Sequence, residues 1–332
     1  MSSEAATAKH AWQNEVIVLR RVRAFHIGGL AVDLQGLPLR DIGTVPGEPP
    51  RRSDPNGRYQ VGQLYAQHFE LAHPIYRIPV LFWHGGGMTG VTWEDTPDGR
   101  AGWHDYFMRR GFDTCVSDAV ERGRASWAPW PDITPHAPEH RTLDQAWSLF
   151  RIGPDGGFRS GVAHPGSRFP FHCADHLARQ FVARWTCNTR LTVNAYGELL
   201  HHFGRSIIIA HSEGARHAAQ LAAVMPGAIA AVVLIEPAGA PVLSAHAASQ
   251  AAGVPHLVVW GDYFGQSELW RRYRRSAESW LAQVRAAGGY VETLDLPAVG
   301  IMGNTHLLMM DDNASDIAAL AADWVQGQMV QK

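Results

Sequence analysis

From residue 78 onward, short apolar runs alternate with stretches of helical periodicity, and this rhythm constrains the fold more than any other feature of the chain. The runs are "IPVLFW" (78–83), "FDTCVSD" (112–118), "SIIIA" (206–210), "AVVLIE" (231–236), "PHLVVW" (255–260) and "YVETLDL" (290–296). Helical patterns fall near 102–110, 190–203, 213–225, 267–287 and 313–327. Runs this short, apolar almost throughout and separated by helices, belong in a largely parallel sheet covered on both faces. The expected class is therefore α/β, in one domain spanning the 332 residues. Ligands of such sheets bind at the carboxyl ends of the strands, so reactive residues should stand just after each run.

Two regions depart from the rhythm. Residues 1–78 carry β-like runs, "EVIVLRRVRAFHI" and "RYQVGQLYAQHFEL", separated by Gly/Pro-rich turns. They read as an N-terminal β-rich extension. Residues 127–180 are rich in Pro, Gly, His and Trp, and a loop this long inside a compact domain is a lid or a disordered piece. Trp127, Trp130, Trp147 and Phe150 need something to pack on, which argues for an ordered cap over the site. Trp127 and Trp130 are candidate pocket walls, suited to an apolar or aromatic substrate group.

Composition removes several chemistries. The only lysines are Lys9 and Lys332. A phosphate-binding loop of the Walker type, a pyridoxal Schiff base and a Ser-x-x-Lys acylase each need an internal lysine. HExxH is absent, and His172 and His176, four apart, lack a third candidate ligand nearby. No metal and no cofactor is expected. A net charge of −2 without long single-sign runs argues against a nucleic-acid surface, and no run of about 18 apolar residues suggests a membrane span. Cys115, Cys173 and Cys187 are odd in number and widely spaced. Together with a first stretch that lacks an apolar core, they suggest a cytoplasmic protein with reduced thiols.

Four strand ends carry chemistry-bearing residues. "HGGGMTG" follows the first run with His84, Gly85, Gly86 and Gly87; "HSEG" follows the third with Ser212; Glu236 closes the fourth; and "GIMGNTHLLMM" places His306 after the last. Acyl transfer needs these types. A serine hydroxyl becomes nucleophilic when a base takes its proton, a neutral histidine serves near pH 7, a carboxylate orients the imidazole, and backbone N–H groups meet the oxyanion. Ala210-His211-Ser212-Glu213-Gly214 fits the small-x-Ser-x-small nucleophile elbow. Taken alone, Ser212 could equally be the N-cap of the helix that begins at Glu213. The chain order of glycine loop, Ser, acid and His favours the elbow. Asp262, in "LVVWGDYF", is an alternative acid after the next strand. His84 should shape the glycine loop, and His211 should face elsewhere on the turn.

The stretches "HGGGMTGVTWEDTPDGRAGWHDYFMRRGF", "ERGRAS", "AHSEG", "LIEPAG" and "GIMGNTHLLMMDDN" resemble the α/β-hydrolase superfamily, and within it a small group of bacterial carboxylesterases. The resemblance runs over roughly residues 75–327. It implies an α/β-hydrolase fold, hydrolysis of a small-molecule ester, Ser212 as nucleophile, His306 as base and Glu236 as acid. The amides of Gly86 and Glu213 would donate to the oxyanion. Relatives in that group carry a cysteine pair where Gly86 and Gly87 stand here. Glu213 puts an acid beside the oxyanion hole, and its carboxylate is expected to point away. The same triad would also serve a lactonase, thioesterase, amidase or acyltransferase, and a non-catalytic hydrolase-fold binding protein is a third reading. The resemblance and the extra N-terminal strands are compatible with a homodimer.

Overall fold

The computed structural model describes residues 16–330; the reading of the first stretch as a cytoplasmic start lies outside them. Ten strands follow in chain order: β1 (Leu19–Leu34), β2 (Arg40–Ile42), β3 (Arg51–Ser53), β4 (Gly57–Leu71), β5 (Tyr76–Trp83), β6 (Phe112–Asp118), β7 (Ser206–His211), β8 (Ile229–Ile235), β9 (His256–Trp260) and β10 (Val291–Asp295). The helices are α1 (Val91–Glu94), α2 (Trp103–Arg109), α3 (Leu143–Leu149), α4 (Gly157–Ser160), α5 (Ala174–Ala178), α6 (Thr189–Phe203), α7 (Glu213–Val224), α8 (Ala245–Ala251), α9 (Glu268–Ala286) and α10 (Ala314–Val330).

Eight strands form one sheet in the order β1-β4-β6-β5-β7-β8-β9-β10. From β6 to β10 all neighbours are parallel; β1–β4 and β4–β6 are antiparallel. Every residue of β7, β8 and β9 is buried, as a strand covered on both faces requires. Two apolar clusters pack on the two faces of the sheet. Phe82, Ile209, Val233 and Val259 belong to one, and Leu81, Ile208, Val232 and Val258 to the other. The period-2 alternation of side chains divides each strand between the two.

The early strands are not an appendage. β4 pairs with β6 inside the same sheet, and β1 lies along β4 over most of its length. Residues between β6 and α6 cross the carboxyl ends of the parallel strands. Backbone hydrogen bonds tie this segment down: Val182 N–H to the Gly87 carbonyl (3.0 Å), His306 N–H to the Phe150 carbonyl (2.9 Å) and Arg168 N–H to the Gly303 carbonyl (2.9 Å). Its Trp147, Phe150, Ile152 and Phe169 are buried in the same cluster as the sheet. Among the described residues, no helix is long and apolar enough to cross a membrane.

Candidate active site

The turn from β7 into α7 carries Ser212. Its φ is +54° and ψ −113°, a conformation non-glycine residues rarely adopt, and its side chain makes no capping hydrogen bond to the helix. A capping serine would take extended angles and accept from the first turn. The turn is held by Ser212 N–H to the Ile235 carbonyl (2.9 Å) and by Ala238 N–H to the Ser212 carbonyl (3.1 Å). Small neighbours are needed on both sides. A Cβ on Gly214 would stand 2.5 Å from the His84 carbonyl oxygen, and one on Gly85 would stand 2.7 Å from His211 Nδ1 and 3.0 Å from Ser212 Cβ. Gly214→Ala should therefore cost about 1–3 kcal/mol of stability, because backbone must move to admit the methyl group. The fall of its denaturant midpoint relative to wild type measures this.

His306 and Glu236 come together as a buried pair. His306 Nδ1 lies 3.2 Å from Glu236 Oε2, and since a carboxylate only accepts, Nδ1–H donates and Nε2 is left as the basic nitrogen. Glu236 follows β8 with φ +50° and is fully buried. Burial lowers the His306 pKa well below 6.5, and the guanidiniums of Arg151 and Arg141 push it further the same way, so the imidazole is neutral at pH 7. Asp262 is engaged elsewhere. Its Oδ1 accepts from Tyr263 N–H (2.7 Å) and its Oδ2 from Gly303 N–H (3.0 Å), so it braces the loop that carries His306.

No protein-family model matches this chain. A solved structure described as a novel bacterial esterase superposes with a TM-score of 0.80 at 29% identity, over 95% of this chain and 98% of that one. The chain has the α/β-hydrolase fold. A curated fungal protein, described as the probable secreted lipase phiG, is 23% identical over 82% of this hydrolase and 88% of its own length.

The glycine loop of the hydrolase has a specific setting. His84 Nε2 accepts from Ala119 N–H (2.9 Å), which fixes the proton on Nδ1, and Nδ1–H donates to the Gly85 carbonyl (2.8 Å). Glu213 does not turn away from the loop as expected. Its Oε2 lies 3.1 Å from where a Cβ on Gly86 would stand. Its charge is instead balanced: Oε1 accepts from Arg184 Nη2 (2.9 Å), and Arg122 Nη2 is 3.7 Å from Oε2. Burial would raise its pKa, but Arg184 and Arg122 outweigh that and bring it down to about 2. Two guanidiniums thus offset the acid beside the expected oxyanion donors.

A cavity of about 560 Å³ opens at this loop. Gly87, His140, Arg141, Leu149, Val182 and Arg184 are among its lining residues. Trp127 and Trp130 are not; they are 52% and 51% exposed, with Trp127 edge-on to Trp185. The aromatic residues at the site are others. Phe150 stacks on His306 (5.7 Å between ring centres), and Trp270 lies 3.9 Å from its ring centre. The Trp270 indole N–H donates to the Leu149 carbonyl.

Three further residues were not singled out for these places. Arg151 is fully buried; its Nη2 donates to Glu236 Oε2 (2.7 Å) and its Nε to the Asp262 carbonyl (2.8 Å). His211 does not face away: its ring centre is 4.4 Å from that of His306, and its Nε2–H donates to the His306 carbonyl (2.9 Å). Trp270 opens "WRRYRR", a piece whose arginines suggest a solvated face, yet the tryptophan is buried. For Arg151 a signal exists. "SLFRIG" sets one charge within apolar neighbours, and a buried cation requires a buried anion.

Proposed function

We propose that Ser212, His306 and Glu236 form the triad with which this carboxylic ester hydrolase works through an acyl-enzyme. The Glu236 carboxylate on His306 Nδ1, behind a neutral imidazole, is the observation that carries the reading. His306 Nε2 takes the Ser212 proton as Oγ attacks the ester carbonyl, and the imidazolium is stabilised by Glu236. The amides of Gly86 and Glu213 hold the oxyanion. His306 returns the proton to the leaving alcohol, and water activated by the same imidazole then releases the acid. Residues 127–180 serve as the cap that keeps bulk water from the acyl-enzyme.

Stopped-flow hydrolysis of 4-nitrophenyl esters tests the mechanism. An initial burst of nitrophenol close to one equivalent per chain is expected, followed by slower turnover. No turnover of any ester in a panel that includes lactones and thioesters would contradict it. We further read the chain as cytoplasmic, since Cys115, Cys173 and Cys187 are all unbridged and Cys187 is exposed. The long outer edge of β1 is open to a second copy in a homodimer, which sedimentation equilibrium would detect.

A further inference from the structure

The cavity beside the glycine loop is lined by a guanidinium that makes no ion pair among the described residues. Arg122 and Arg184 share Glu213, Arg184 also lies 4.0 Å from Glu139, and Arg151 is matched by Glu236. Arg141 has no carboxylate within ion-pair distance among the described residues; its one hydrogen bond runs from Nη1 to the Gly86 carbonyl (3.0 Å). The guanidinium also lies 4.9 Å over the Phe150 ring, the same ring that stacks on His306. The backbone beside it is tied down. Glu139 and Arg184 exchange two backbone hydrogen bonds (2.8 and 2.9 Å), and the adjoining Val182 N–H is bonded to Gly87. Burial, together with the Arg184 and Arg122 charges, outweighs the Glu213 and Glu139 carboxylates and lowers the Arg141 pKa to about 10.

We propose that Arg141 binds a carboxylate carried by the ester substrate itself, so that this hydrolase prefers esters bearing a second, ionised acid group a few bonds from the scissile carbonyl. The inference rests on the ester-hydrolase reading for the reaction, but not for the binding. Three observations meet here. The cavity is open at Gly87, next to the Gly86 amide expected to donate to the oxyanion. Guanidinium is the donor best matched to a carboxylate, with N–H groups to spare after the bond to Gly86. The lining is too charged to favour an aromatic acyl group, with Arg141, Arg184, Glu139 and His140 around it. An anion at Arg141 would give this guanidinium the direct ionic partner it lacks among the described residues.

Two matched pairs of esters, followed by pH-stat at pH 7.5, test this. Monomethyl glutarate against methyl pentanoate places the charge on the acyl side. 4-Acetoxybutanoate against butyl acetate places it on the alcohol side. In at least one pair the wild type should favour the anion in kcat/KM by on the order of 10- to 100-fold, as a charge-assisted contact allows. Arg141→Gln should bring that ratio close to one, and Arg141→Lys should keep part of it. A wild-type preference for both neutral esters would overturn the proposal. So would an Arg141→Gln variant that slows both members of a pair equally, which would assign Arg141 to the glycine loop alone. Calorimetric titration of the Ser212→Ala protein with glutarate and 4-hydroxybutanoate separates this from the reaction. Binding of either one that Arg141→Gln weakens by about tenfold or more supports the site even if no ester is turned over; no binding of either overturns it.

Discussion

Ser212→Ala should lower kcat for a hydrolysed ester by on the order of 10⁴-fold or more, with the protein still folded. Ser212 Oγ is the only hydroxyl on the strained turn, and alanine tolerates the site as well as serine does, so stability should change little. His306→Ala should cost a similar factor, and the double variant little more than either alone, because nucleophile and base act as one unit. Steady-state rates on one ester across the three variants and wild type, each with its denaturation curve, measure this. Losses that multiply in the double variant would mean that the two side chains do not serve the same step.

Arg151→Met should be the most damaging single change to stability, at about 3–5 kcal/mol, because it leaves the buried Glu236 carboxylate without its strongest partner. The guanidinium, which also rests 4.1 Å over Phe264, is fully buried, so water cannot replace it. Adding Glu236→Gln should recover part of the loss, since the uncompensated charge is then gone. The same cation acts on the pH profile. In the proposed mechanism His306 acts as a base only when neutral, so activity should fall as pH drops through its pKa. Burial, Arg151 and Arg141 all lower that pKa, which places the acid limb of kcat/KM below pH 6.5. Removing Arg151 takes away one lowering influence, and the limb should move to higher pH. A limb unmoved in Arg151→Met would show that Arg151 has no electrostatic hold on the base.

The parallel strands were legible because β7, β8 and β9 are apolar on both faces, and their boundaries in the sequence differ from the structure by a residue or two. The long helices were legible from their period. α8 was not, since "AHAASQA" is made of small residues with no apolar stripe. α3, α4 and α5 lie in a Pro/Gly-rich segment whose short helices are set by packing on the sheet rather than by propensity.

Within the candidate site, Ser212, Glu236 and His306 stand out in the sequence because each follows a strand. Their partners could not. Arg151 and Arg141 come from the irregular segment, and nothing local in "RTLDQAWSLFRIG" says which strand end they reach. Trp127 and Trp130 illustrate the converse: aromatic residues in a candidate cap suggest a pocket wall, whereas the cavity at the glycine loop is lined by Glu139, His140, Arg141, Leu149 and Arg184 among others. Glu213 stood out as an acid in the wrong place, and the resolution lay in two remote guanidiniums.

Peptide mapping after reaction with a fluorophosphonate tests the central claim most directly. One adduct per chain is expected, on the peptide that contains Ser212, with labelling abolished in Ser212→Ala and strongly slowed in His306→Ala. An adduct on another residue, or none in the folded wild-type protein, would contradict the account.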